Sequence, residues 1–131
     1  MELDHVGIAV PSLTEAQLQW EPLVGGRATA PELIESQRVR VCFVEVGPLH
    51  LEFLEPTEAQ SPVGRFLADR GGGLHHVAFR VPDVDAMLRA LAGQGYRLVD
   101  RVARPGARGR RVGFVHPKST GGALVEFVEG P

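Results

Sequence analysis

Apolar and polar residues alternate from Leu3 to Val10, with Val6, Ile8 and Val10 on one face and His5, Gly7 and Ala9 on the other. Alternation of this kind predicts a half-buried strand. The period then lengthens. Leu13, Ala16, Trp20 and Leu23 recur at helical spacing behind Ser12 and Glu15, which are placed as a capping box, and Pro22 with Gly25 and Gly26 is expected to end the helix. One strand is expected around 27–34, and two more over 38–46 and 49–55, joined by the turn residues Gly47 and Pro48. The first part of the chain therefore reads βαβββ.

A connector follows, in which Ser61 caps a short helix, Pro62 fills its first turn and the run Gly71 to Gly73 stops it. The strand pattern then returns at 75–81, followed by a helix from Val84 to Ala92 capped by Asp83 and a strand near 97–103. Strands at 110–116 and 123–129, joined by Lys118 to Gly122, complete a second βαβββ.

The two parts are copies. DHVGIAV at 4–10 matches HHVAFRV at 75–81, seventy-one positions on, and each is followed by a proline. LEFLE at 51–55 matches VEFVE at 125–129, seventy-four positions on, and the slippage fits loops of unequal length. With 131 residues the chain is short for two independent domains. The expected architecture is α+β: one domain, 1–131, of tandem βαβββ halves at 1–58 and 73–131 joined by a helical connector at 59–72.

Strand phase places chemistry on this frame. Leu51 and Phe53 point one way and Glu52 the other; Val125 and Phe127 oppose Glu126, and His5 and His76 oppose their apolar neighbours in the same manner. All four are expected on the face away from the helices, and they converge if each sheet curls around that face. Charged groups inside such a cleft need neutralising. Two imidazoles and two carboxylates suit a divalent ion such as Co²⁺, Ni²⁺, Mn²⁺, Fe²⁺ or Zn²⁺. Such an ion acts as a Lewis acid toward an enolate, and a neighbouring carboxylate can carry the proton. His75 is expected on the helix side. Glu55 and Glu129, though matched, are expected to be solvated.

Charge and composition narrow the partners. Net charge is −2, which argues against a nucleic-acid binder, and the lone Cys42 excludes an internal disulfide framework. No run is long enough to span a bilayer, and a strand pattern begins almost at the first residue, so a soluble cytoplasmic protein is expected.

These residues resemble the vicinal-oxygen-chelate superfamily, which includes glyoxalase I, extradiol dioxygenases and antibiotic-resistance binding proteins. Within it, DHVGIAV at 4–10, LEFLEP at 51–56, SPVGRFL at 61–67, GLHHVAF at 73–79 and HPKSTGG at 116–122 look most like the methylmalonyl-CoA epimerases. The resemblance covers essentially the whole chain. It implies curled mixed sheets around a metal-binding cleft, with His5, Glu52, His76 and Glu126 as ligands and Co²⁺ the favoured ion. The implied reaction interconverts (R)- and (S)-methylmalonyl-CoA, with Glu126 at the position of the family's base; Glu52 is expected as the second proton carrier because the chain departs from the family elsewhere. Some members carry Gln at the position of Glu52 and a separate catalytic Glu where this chain has Val41.

Coenzyme A calls for cations, and Arg101, Arg104, Arg108, Arg110 and Arg111 crowd one stretch ahead of Lys118. Lys118 and Ser119, with His116, are the expected substrate contacts. By analogy the protein is expected to be a homodimer. The closest rival is a glyoxalase I-type lactoylglutathione lyase, against which stands the turn Pro117-Lys118-Ser119-Thr120. An extradiol dioxygenase needs only three ligands, so Glu52 argues against it. A non-enzymatic binding protein of the same superfamily is the remaining alternative.

Overall fold

Two βαβββ modules are present, as the repeat predicts, in a computed structural model that describes residues 1–130. The first holds β1 (Glu2–Ala9), α1 (Leu13–Val24), β2 (Glu32–Ile34), β3 (Val39–Val46) and β4 (Leu49–Pro56). After α2 (Pro62–Arg70), the second holds β5 (Gly73–Val81), α3 (Val84–Gly93), β6 (Arg104–Pro105), β7 (Arg111–Val115) and β8 (Leu124–Glu129). Contacts divide the chain into two compact units: His5–His75, and Met1–Asp4 with the residues from His76 onward. The connector helix thus belongs with the first module and the first four residues with the second. Among the described residues no helix is long and apolar enough to cross a membrane.

Both modules use one pairing scheme. In the first, strand order is β2-β3-β4-β1, with β1 parallel to β4 and the other pairs antiparallel. The second runs β5-β8-β7-β6, with β5 parallel to β8. One face of each sheet lies under a helix. Ile8, Val10, Cys42, Val44 and Phe53 pack with Leu13 and Ala16 of α1, and the Trp20 ring stands 5.4 Å from that of Phe53. Val81, Val115 and Phe127 pack with Val84, Leu88 and Leu91 of α3. Gly113 permits that packing, because a Cβ there would lie 2.7 Å from the Leu88 side chain.

The helix starts follow the expected chemistry. Ser12 and Asp83, seventy-one positions apart, accept the N–H groups of Glu15 and Ala86 with their side chains. Ser61 does the same for Gly64 ahead of α2, with Pro62 in the first turn and Gly71 in the left-handed conformation at its end.

Four expectations change. Pro22 does not end α1, which continues to Val24 and closes on left-handed Gly25. Proline removes only the N–H that would meet the carbonyl of Leu18, and Leu18 sits on the exposed side. The strand near 97–103 is absent: Leu98 makes one isolated bridge to Val115, and β6 is two residues long. Side chains have taken over backbone bonds there, since Asp100 accepts the N–H of Phe114 and Asp85 that of Ala103. In the first module the 27–34 strand is likewise reduced to a bridge at Ala28 and the short β2.

The fourth change concerns Glu55 and Glu129, which are not simply solvated. Glu55 Oε2 accepts the N–H of Leu13 at 3.0 Å, and Glu129 Oε2 accepts that of Val84 at 3.0 Å. Each is the last acidic residue of its module's closing strand, and each satisfies the first N–H of its module's helix, where negative charge also meets the positive end of the helix dipole.

Glu55→Ala and Glu129→Ala should each cost about 1 kcal/mol, the usual loss for a helix-capping oxygen. Urea unfolding checks this: the midpoint should fall with an unchanged slope, and amide exchange should quicken first at Leu13 or Val84. An unmoved midpoint would leave the caps without energetic weight.

Candidate metal centre

Every expected ligand is buried: His5 is 4%, Glu52 6%, His76 4% and Glu126 4% exposed. The parallel ladders explain how each module brings its own imidazole to its own carboxylate. Glu52 lies opposite Gly7, two residues beyond His5, and Glu126 opposite Ala78, two residues beyond His76. Each pair is therefore a diagonal neighbour on one face of its sheet. On the parallel ladder the residue opposite each glutamate is small, glycine or alanine, which leaves the carboxylate room to lean toward the histidine. His5 Nε2 stands 3.4 Å from Glu52 Oε1, and His76 Nε2 3.2 Å from Glu126 Oε1.

Those spacings suit a shared ion. Two donors each about 2.1 Å from one metal stand roughly 3.0 Å apart at a right angle and roughly 3.4 Å at the tetrahedral angle. The donor chemistry fits as well, for two imidazoles and two carboxylates form a mixed N/O set of the kind first-row divalent ions take. His5 with Glu52, and His76 with Glu126, each offer one nitrogen and one oxygen donor to such an ion. Burial of carboxylates without a counter-charge is expensive, and a divalent ion supplies one.

Two residues that the sequence reading passed over complete each pair. The Phe43 ring meets His5 edge-on with centroids 6.1 Å apart, and the Phe114 ring meets His76 edge-on at 5.7 Å. Phe43 faces Glu52 across β3–β4, and Phe114 faces Glu126 across β7–β8. They are themselves seventy-one positions apart, so the offset that revealed the histidines could have found them. Their backbones are held alike: Thr29 Oγ1 accepts the N–H of Phe43 and Asp100 Oδ2 that of Phe114, again at the same offset. The second copy adds Arg104, bonded to Asp100 and lying over the Phe114 ring at 5.3 Å. Val41 is buried and pairs with Leu54, so β3 offers no carboxylate at that position. His75 packs edge-on against Phe66 of α2, on the side expected for it.

The expected substrate contacts fall in the turn between β7 and β8. His116 Nδ1 accepts the N–H of Lys118 at 3.0 Å, so this histidine shapes the turn. Ser119 Oγ accepts the N–H of Arg97 at 2.8 Å, which ties the turn to the stretch after α3. The arginine cluster is largely committed to protein contacts. Arg110 binds Asp4 and the carbonyl of Glu129, Arg111 binds Asp85 and Glu129, and Arg104 binds Asp100. The Ala103 N–H, and after it the Arg111 guanidinium, hold the Asp85 carboxyl below the usual carboxylate range.

A family model described as the glyoxalase/bleomycin resistance protein/dioxygenase superfamily matches residues 4–114. The chain is 42% identical over 127 residues to the uncharacterized protein YqjC of Bacillus subtilis, covering 97% of this chain and 91% of that one. It is 36% identical to the ethylmalonyl-CoA/methylmalonyl-CoA epimerase of Cereibacter sphaeroides, covering 95% of each. Among solved structures, a variant of the Streptomyces coelicolor methylmalonyl-CoA epimerase in complex with 2-nitronate-propionyl-CoA matches with a TM-score of 0.94 at 34% identity, covering 99% of this chain and 94% of that one.

Partial burial, then the charges of Arg97 and Lys118, hold the His116 pKa below the ordinary imidazole value. NMR titration should find its midpoint there, and Lys118→Met should move it upward by removing one like charge. A midpoint that rises above the ordinary value, or does not respond to Lys118→Met, contradicts this account of the turn.

Proposed function

Because the chain belongs to the glyoxalase/bleomycin resistance protein/dioxygenase superfamily, we propose that it is a metal-dependent epimerase interconverting (R)- and (S)-methylmalonyl-CoA. The observation that carries the reading is the pair of buried, repeat-related His–Glu couples in a chain that aligns with named epimerases over nearly its full length. His5, Glu52, His76 and Glu126 are the proposed ligands. When bound there, a divalent ion supplies Lewis-acid stabilisation of the oxygen that gains charge as the α-carbon loses its proton.

The chain's own residues do the rest. Epimerisation requires removal of a proton from one face of the α-carbon and delivery to the other. Glu126 is the proposed base on one side and Glu52 on the other, since each is a carboxylate in a dry environment and β3 has Val41 where some relatives carry a further acid. Phe43 and Phe114 exclude water beside the imidazoles. Lys118 supplies the cationic contact for the coenzyme A portion, while His116 and Ser119 shape the turn that presents it.

The reading extends to Co²⁺ as the ion, with Ni²⁺, Mn²⁺ or Zn²⁺ compatible with the same donors, to a homodimer, and to propionate metabolism in the cytoplasm. The buried lone cysteine suits a reducing compartment. Lactoylglutathione lyase is less well supported, because Pro117-Lys118-Ser119-Thr120 occupies the turn in which that family differs.

A single enantiomer of methylmalonyl-CoA incubated in D₂O with the Co²⁺-loaded protein should invert and take up deuterium at the α-carbon, and chelation should stop both. Glu126→Gln and Glu52→Gln should each slow exchange by about 10²–10⁴-fold, with opposite preference between the two enantiomers. Turnover of methylglyoxal with glutathione, and none of methylmalonyl-CoA, would overturn the proposal in favour of the lyase. Exchange unaffected by Glu52→Gln in both directions would remove Glu52 as a base.

A further inference from the structure

Asp4 is a charged side chain that the proposed chemistry does not use, yet it is only 2% exposed. Its carboxylate accepts from Arg80 Nε at 3.1 Å and from Arg110 at 2.8 and 3.3 Å. Arg80 also reaches Glu2 at 2.9 Å. Arg110 in turn donates to the backbone carbonyl of Glu129 at 2.7 Å. One buried carboxylate thereby fastens the start of β1 to β5, which carries His76, and to β8, which carries Glu126.

From this network we infer that Asp4 is a positioning residue that fixes the register of β1 and so the direction in which His5 points. The inference rests on the reading of His5 as a metal ligand.

Strand geometry gives the reason. Successive side chains in a strand point to opposite faces, so the orientation of Asp4 dictates that of His5. A slip of one residue would turn His5 away from Glu52. Asp4 accepts from both guanidinium groups, a pattern that only one phase of β1 satisfies, and the exposed Glu2–Arg80 pair adds little to it. Slipped by one, the strand would present Leu3 and His5 to Arg80 and Arg110 instead. A single imidazole acceptor cannot replace a carboxylate that serves both guanidinium groups, and Asp4 would lose its donors. Buried ionic groups contribute little net stability after desolvation, and selection of one register is their best-attested role.

The test is Asp4→Asn, which keeps the shape and removes the charge, beside Glu2→Gln at the exposed end of the network. Metal affinity by competition titration, the visible spectrum of the Co²⁺-loaded protein and urea unfolding of the metal-free protein are compared with the parent. Asp4→Asn should lower Co²⁺ affinity about 10–100-fold, as loss of a group orienting a ligand does, and should alter the cobalt bands. Glu2→Gln should leave both near the parent values. If Asp4→Asn does not fold, Arg110→Met, which leaves Arg80 on Asp4, should show the same altered bands with a smaller loss of affinity.

Parent affinity and parent spectrum in a folded Asp4→Asn protein, even with lowered stability, would overturn the positioning role while leaving the metal reading intact. With Asp4→Asn unfolded, parent affinity and bands in Arg110→Met would do the same. A parent protein that takes up no Co²⁺ would sink both.

Discussion

Each module buries an imidazole and a carboxylate on the sheet face opposite its helix, and the rest of the module is arranged around that constraint. Such groups are expensive to remove from water unless they are neutralised. The parallel pairing of first and last strands sets His5 diagonal to Glu52 and His76 diagonal to Glu126, with Gly7 and Ala78 making room. The helices then cover the other, apolar face. The proposed metal centre would neutralise these groups, and the epimerase reading uses the two carboxylates as the proton carriers.

Duplication has kept this plan while allowing its supports to diverge. Glu55 and Glu129 cap the helices in the same way, and Phe43 and Phe114 flank the imidazoles in the same way. The backbone of Phe43 is held by a neutral hydroxyl, Thr29, whereas that of Phe114 is held by Asp100, with Arg104 over the ring. Under α1 the sheet presents Cys42; at the equivalent place Gly113 leaves the space that Leu88 of α3 fills. The support behind Phe114 is therefore the charged one. The second module is also the one that captures the first four residues through Asp4.

Much of this was legible in the chain because repetition and strand phase are local signals. The two βαβββ modules follow from matched peptides and period-two alternation, and the same phase places His5, Glu52, His76 and Glu126 at positions that are buried in the fold. What escaped were features decided by contacts remote in sequence. Glu55 and Glu129 read as solvated because phase says nothing about a helix N-terminus 42 or 45 residues away. The 97–103 segment has strand-like composition, but Asp85 and Asp100 compete for backbone donors that a ladder would need. Within the arginine stretch, Arg104, Arg110 and Arg111 are partnered by acids that composition could not assign to them, among them Asp4, Asp85 and Glu129. Phe43 and Phe114 were within reach, since their offset equals that of the histidines.

X-ray absorption at the cobalt edge of the Co²⁺-loaded protein tests the central claim most directly. The account predicts a first shell of nitrogen and oxygen only, at about 2.0–2.2 Å, with outer-shell scattering from two imidazoles that falls to one in His5→Ala and in His76→Ala. A sulfur shell, or imidazole scattering unchanged by either substitution, would contradict it.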